Sequence, residues 1–352
     1  MASSGTTGDA DPEDPVGYFI EDLRFHGKSE RTREAYERVL REFEAFVGDP
    51  DRNPGGQSLS PGEASQRECM AWVHSLRDDL AESTVATYAS YLHRFYDYMT
   101  QVGAFDSNPM ALVVEEMNES IDKDPTRREI SIPQMRSFVA GVTHPLERAV
   151  VVALLKTGMR VGELCNLDLR DLRLTGEAGD AYRLGTRPQL DGRGDSLFVT
   201  ADAARGTVVN GEERDAANKR KRATVIPVDA ELAGVLTRWL AVRPDARSAA
   251  EPLFVSTGRK WGRRLTPQMV RNVVETHASE AGWYRRGGGA EENVTPHYFR
   301  HFFTTHLRDR TGDRGIVKYL RGDVADDIID TYTHNWGDRV REVYERHIYS
   351  LL

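Results

Sequence analysis

Residues 115–129 read EEMNESIDKDPTRRE, a stretch nearly devoid of apolar side chains. A segment with so little to bury cannot run through a core. It therefore divides the chain into two parts, each of which must build its own hydrophobic interior. A length of 352 residues is enough for two domains of ordinary size. The expected organisation is an acidic, disordered tail over 1–14, a first domain over 15–114, a linker over 115–129 and a second domain over 130–352.

The two parts carry different patterns. In the first, Tyr18 to Phe25 reads as a short helix, and Ser29 is placed to cap a longer one with Tyr36, Val39, Leu40, Phe43, Phe46 and Val47 at helical spacing. Residues 48–62, rich in Pro, Gly, Asp and Ser, read as a loop. Two further helical patterns span 64–80 and 82–102, which predicts a bundle of about four helices. The second part starts with helices at 132–141 and 144–158. Short β-type runs (SLFVT, GTVVN, ATVIP) follow among Gly- and Asp-containing turns over 174–223. Helices return at 229–241, 266–281, 295–310 and 313–320, and 326–349 is helical in character with Tyr332 inside it. The Gly287–Gly289 run reads as a mobile surface loop. The fold class expected is mainly α with one small antiparallel β-sheet.

Composition excludes several classes. The longest apolar run, AVVVALL at 149–155, is far shorter than the roughly 20 residues that span a bilayer. No basic segment followed by an apolar stretch opens the chain, so no secretory signal is expected. Cys69 and Cys165 are the only cysteines, too few for a disulfide framework, and the expected location is the cytoplasm. The net charge is −8. A global sum does not preclude local phosphate contact, and only seven of the 47 basic residues are Lys. Arg makes the bidentate phosphate contacts that Lys cannot imitate. The Arg bias in an acidic protein fits a halophilic host, although GC-rich coding produces the same bias.

Three segments and one tyrosine can carry chemistry. In TGMRVGELCNL (157–167), Gly158 can end a helix in the left-handed conformation and Arg160 then opens the next element. The plain alternative is a helical ion pair between Arg160 and Glu163. NKRKRATVIPV (218–228) is a basic run entering a strand. As a hairpin rim it can offer Lys219, Lys221 or Arg222 to a phosphate, and as a solvated face it does nothing. In TPHYFRHFFTTHL (295–307), Thr295 can cap a helix whose first residue is Pro296, and His297 and Arg300 share a face near its anion-favouring N-terminus. His297 and His301 have ligand spacing, but no Glu stands at 298 and no third ligand is evident, so no metal is expected. Tyr332, in IIDTYTHN, is on its own no more than a helix aromatic. GKS at 27–29 lacks the upstream Gly of a phosphate-binding loop.

In this order the segments resemble the tyrosine recombinases, the family of phage integrases and Xer resolvases, over about residues 15–350. The first domain, with SERTREAY at its helix start, is similar to the family's core-binding, SAM-like domain, and the second to its α+β catalytic domain. Arg160 and Glu163 match the TGxRxxEL setting. Lys219, eight residues before Pro227, matches the hairpin lysine, and His297 and Arg300 match the HxxR box. Tyr332, 32 residues after Arg300, matches the nucleophile. One position departs from the pattern. The family has His or Trp nine residues before the nucleophile, where this chain has Asp323 in LRGD. An Asp can orient a neighbour but brings no cation to a phosphate, and Arg321 is at hand to compensate. A further departure is an expansion at about 175–204.

The resemblance implies cleavage and rejoining of double-stranded DNA through a 3′-phosphotyrosyl link, with neither ATP, metal nor cofactor. Arg160 and Arg300 would clamp the phosphate, His297 would assist, Lys219 would act as general acid, and Glu163 and Asp323 would support them. It also implies a C-shaped clamp on the duplex, tetramers on paired sites, and exchange of a C-terminal helix (337–350) between copies, unless that helix packs on its own domain. The alternatives are a non-catalytic DNA-binding relative, for which Asp323 is the sign, a relaxing enzyme of the topoisomerase IB kind, and a helical adaptor that binds no DNA.

Overall fold

Local caps start most of the helices in the first part of the chain. The computed structural model describes residues 14–120, 126–182, 184–323 and 336–352, and the chain divides into two units between Asp124 and Pro125. Asp14 accepts a hydrogen bond from the N–H of Gly17 and opens α1 (Pro15–Phe25). Ser29 accepts one from Thr32 and opens α2 (Glu30–Gly48). A reciprocal box between Ser65 and Glu68 opens α3 (Gln66–Leu76), and α4 (Glu82–Gln101) follows. These helices bury Phe19, Phe43, Trp72, Leu92 and Phe95, with edge-to-face pairs at 5.5 Å (Phe19–Phe95) and 5.3 Å (Phe43–Trp72). A fifth helix, α5 (Met110–Glu116), was not anticipated. Buried Met110 and Val113 tie it to this core, so the ordered chain runs into the stretch read as linker.

The second unit is built around one buried helix. α6 (Ile132–Gly141) leads into α7 (Pro145–Thr157), where every residue from Ala149 to Thr157 is buried. Gly158, at φ +61°, ends α7, and a Cβ there would run into the Phe303 ring. α8 (Val161–Cys165), β1 (Leu172–Arg173) and α9 (Glu177–Ala181) follow. Next come β2 (Ser196–Val199), β3 (Val208–Val209), β4 (Glu212–Glu213) and β5 (Thr224–Pro227). The helices α10 (Ala230–Val242), α11 (Pro267–Glu280), α12 (Pro296–Thr311), α13 (Arg314–Arg321) and α14 (Trp336–His347) complete the unit. Among the described residues no helix is long and apolar enough to cross a membrane, and both cysteines are buried and unpaired.

The expectation of a single sheet needs correction. β1, β2 and β5 form one antiparallel sheet in that order, with Leu172 opposite Leu197 and Leu197 opposite Ile226. β3 and β4 pair only with each other, because Asn210 and Gly211, both at positive φ, reverse the chain in two residues. A buried ionic knot holds this hairpin. Asp168 accepts from Arg214 Nη2 (2.8 Å), Arg264 Nη2 (2.6 Å) and Asn210 Nδ2 (3.0 Å). The expansion at 175–204 is also tied back, by Arg187 on Asp171 at 2.6 Å and by buried Leu190. The 287–289 loop is exposed but cross-braced, with Asn293 accepting from the Arg285 N–H (2.7 Å) and donating to the Arg285 carbonyl (2.9 Å).

The C-terminal segment packs on its own unit. Tyr344 Oη donates to the Lys156 carbonyl (2.9 Å) and Tyr349 Oη to that of Leu155 (2.5 Å). The fully buried Lys156 ammonium donates to the Tyr349 carbonyl (2.6 Å) and pairs with Asp229 (2.6 Å) and Glu231 (2.8 Å). The helix expected over 326–349 is observed from Trp336 to His347, and Tyr332 lies outside the described residues.

Candidate active site

The turn after α7 sets the first functional side chain. The left-handed Gly158 lets the chain reverse, and Arg160 becomes the N-cap of α8. Glu163, three residues on and fully buried, accepts both the Arg160 backbone N–H (2.9 Å) and its Nη1 (3.0 Å). The ion pair offered as the plain reading is therefore real, and it leaves Arg160 Nη2 free to point elsewhere. That nitrogen donates to Asp323 Oδ1 at 2.7 Å.

Arg300 reaches the same carboxylate from α12. Thr295 is the N-cap of that helix by position, although its side chain makes no capping bond, and Pro296 occupies the first turn. Arg300 is 3% exposed. Its Nη1 donates to the carbonyls of Gly158 (2.6 Å) and Arg321 (3.1 Å), and its Nη2 donates to Asp323 Oδ1 (2.7 Å) and Oδ2 (2.8 Å). Arg321 Nη2 also pairs with Asp323 Oδ2, at 2.9 Å. One carboxylate thus gathers three guanidinium groups from three segments. Those cations outweigh its desolvation and hold Asp323 below the usual carboxylate range. Burial, then the neighbouring Arg321 and Arg160 charges, pull Arg300 down to about 10, so it remains a cation at neutral pH and gains from an anion beside it.

A fourth guanidinium supports this arrangement, and the sequence reading missed it. Arg220 and Glu163 pair at 3.0 Å with both side chains fully buried. Arg220 Nη1 also donates to the Leu320 carbonyl at 3.2 Å. Its stem lies against Gly322, where a Cβ would collide with Arg220 Cγ. The neighbouring Lys221 N–H donates to the Gly322 carbonyl (3.2 Å). In NKRKR, Arg220 is one basic residue among four, and no local signal separates the buried one from its exposed neighbours.

Lys219 lies in the irregular segment between β4 and β5. It is exposed and has no hydrogen bond or ion pair among the described residues. His297, in the first turn of α12, is exposed at its edge. Partial burial, then the charges of Arg127, Arg300, Arg321 and Arg160, lower its pKa, which favours the neutral ring. The structure therefore brings Arg160, Glu163, Arg300 and Asp323 into direct contact, and the same positive field reaches His297. Such a field, focused on a partly buried pocket of Arg N–H groups, suits a phosphate oxygen. Among the described residues no group of three His, Cys, Asp or Glu side chains is disposed to hold a metal.

A sequence model of the phage integrase family matches residues 198–338, and a model of the phage integrase N-terminal SAM-like domain matches residues 17–103. The tyrosine recombinase XerC of Pelobacter propionicus is 24% identical over 342 residues, covering 94% of this chain and 95% of that protein. XerD of Shewanella oneidensis is 23% identical over 345 residues, with 94% and 95% covered. Among solved structures, the Tn1549 transposon integrase in complex with a circular intermediate DNA superposes with a TM-score of 0.62 at 18% identity, covering 94% of this chain and 99% of that one. A lambda integrase tetramer bound to a Holliday junction gives a TM-score of 0.60 at 14% identity, with 89% and 77% covered. At these identities the structural likeness establishes the fold alone.

Proposed function

Because the chain belongs to the phage integrase family of tyrosine site-specific recombinases, we propose that it cuts and rejoins double-stranded DNA through a covalent link to Tyr332. Tyr332 Oη passes its proton to the His297 ring or to solvent and attacks phosphorus. The bond to the 5′-oxygen breaks, and Lys219 supplies the proton that oxygen takes. The 3′-phosphotyrosyl bond conserves the energy of the phosphodiester, so no ATP is needed. A free 5′-hydroxyl from a partner strand reverses the step and completes the exchange. Arg160 and Arg300 hold the non-bridging oxygens and stabilise the charge of the pentacovalent transition state. Glu163 fixes Arg160, and His297 exchanges a hydrogen bond with the phosphate.

The observation that carries this reading is the convergence of Arg160 Nη2 and Arg300 Nη2 on a single oxygen at 2.7 Å each. Two guanidinium groups from segments about 140 residues apart in sequence are aimed at one partly exposed anion position, the arrangement that holding a phosphate requires. The similar structures, a transposon integrase in complex with DNA and a lambda integrase tetramer bound to a Holliday junction, support double-stranded DNA as partner and self-association on paired sites. Contact of both units with the duplex and a cytoplasmic location belong to the same proposal, whereas the packing of the C-terminal segment on its own unit favours the alternative to helix exchange.

A second reading, DNA binding without cleavage, is favoured by one observation. Asp323 sits where the family has a histidine or tryptophan, and it fills the arginine clamp. Trapping on nicked DNA with a candidate attachment site, comparing wild type with Tyr332→Phe, separates the two. A denaturation-resistant adduct in wild type alone is the expected result. Specific retardation without an adduct from either protein overturns the catalytic reading.

A further inference from the structure

We propose that the Asp323 carboxylate is an internal stand-in for the scissile phosphate, filling the arginine clamp in the DNA-free protein and leaving it when a phosphodiester enters. The inference rests on the clamp assignment above and concerns a group that assignment does not explain. Arg160 Nη2 and Arg300 Nη2 both donate to Oδ1, and Arg300 Nη2 and Arg321 Nη2 both reach Oδ2. Guanidinium N–H groups are few and fixed in a plane, so donors engaged by one anion are not offered to a second in the same place. A carboxylate and a phosphodiester are also both negative, and in a partly buried pocket with little screening they repel at close range. Both cannot hold the clamp.

The geometry decides which group moves. Arg300 forms the floor, with its side chain 4% exposed and two backbone carbonyls fixing Nη1. Asp323 is on the rim, 25% exposed, directly after Gly322, which ends α13 in the left-handed conformation at φ +70°. Rotation about the Asp323 side chain frees the floor without disturbing a buried apolar group. The same turn is bound to the segment that carries Lys219, through Lys221 N–H to the Gly322 carbonyl and Arg220 to the Leu320 carbonyl. The turn that presents Asp323 is therefore anchored within two residues of the proposed general acid. The clamp stays closed to free anions and opens to a phosphate that binding of the whole duplex holds in place.

Inorganic phosphate tests this, titrated by calorimetry into the full chain at constant ionic strength. Asp323→Asn keeps the shape and removes the charge, and it is expected to bind phosphate about tenfold more tightly than wild type or better, given the strength of charge-assisted hydrogen bonds. Adding Arg300→Gln is expected to erase the gain. Equal affinity in wild type and Asp323→Asn overturns the proposal, and Asp323→Ser serves the same comparison if the amide variant does not fold. Should neither fold, wild type decides. Arg300-dependent thermal stabilisation by phosphate means the clamp is already open and refutes the idea, whereas its absence supports it. The outcome is separable from the functional reading. An adduct at Tyr332 with no gain in phosphate affinity removes only this inference, and a gain with no adduct removes only the catalytic reading.

Discussion

Replacing Arg220 with methionine is the sharpest test of how the site is held together. Arg220 and Glu163 are both fully buried and pair at 3.0 Å. Removing one partner of such a pair leaves the other charge uncompensated, at a cost of about 3–5 kcal/mol. Glu163 still accepts from the Arg160 backbone N–H and from Arg160 Nη1, which pulls the cost to the lower end. Loss of the bond to the Leu320 carbonyl adds about 1 kcal/mol. The expected destabilisation of Arg220→Met is thus about 4 kcal/mol. Glu163→Gln alone leaves Arg220 buried without its anion and is expected to cost nearly as much. The double variant loses both charges, so its cost should fall below the sum of the singles by about 2 kcal/mol or more. Urea unfolding of the full chain is the assay, with separate transitions fitted for the two units because a single two-state fit is not valid for them. An Arg220→Met variant within about 1 kcal/mol of wild type, or additive singles, refutes the claim that this buried pair braces the clamp.

Two further outcomes follow from the same geometry. Gly158→Ala places a side chain at φ +61° and drives its Cβ into Phe303, so it should cost more than the roughly 1 kcal/mol of left-handed strain alone. It should also weaken phosphate binding in the Asp323→Asn background by shifting the carbonyl that anchors Arg300, and full stability in thermal melting would refute the predicted strain. His297 is held below its ordinary value of 6.5, first by burial and then by four guanidinium groups. The unfolded chain therefore takes up this proton at higher pH than the folded one. Stability contributed through His297 is present above pH 6.5 and is lost as pH falls toward the folded value. An NMR titration of the His297 ring should show a midpoint below 6.5, and a midpoint at or above 6.5 in the free protein contradicts the positive field described here.

Much of the fold was legible because it is local. Ser29 before an amphipathic run, Pro296 after Thr295 and Gly158 at the end of an apolar helix act within one turn of themselves, and all three mark helix ends in the structure. The helices of both units follow the 3.6-residue apolar spacing closely, and the chain divides inside the polar stretch 115–129. The readings that failed depended on distant partners. α5 was assigned in part to a linker because its few apolar residues acquire meaning only against the core of the first unit. Three β-type runs were given to one sheet because pairing is chosen by register and turn geometry, and the Asn210–Gly211 turn takes one of them aside.

The candidate site divides along the same line. The resemblance to the tyrosine recombinases named Arg160, Glu163, His297 and Arg300, since each stands in a short motif that matches the family's. It also flagged Asp323, as a departure that can orient a neighbour but brings no cation to a phosphate. Tertiary structure alone decided that Asp323 meets Arg160 and Arg300, because they lie 163 and 23 residues away along the chain. It alone separated buried Arg220 from exposed Lys219, because that choice depends on the space left by the missing Cβ of Gly322. Chain-local energies set caps and periodicity, whereas the meeting of charges from separate segments is fixed only when the core packs and brings those segments to one point.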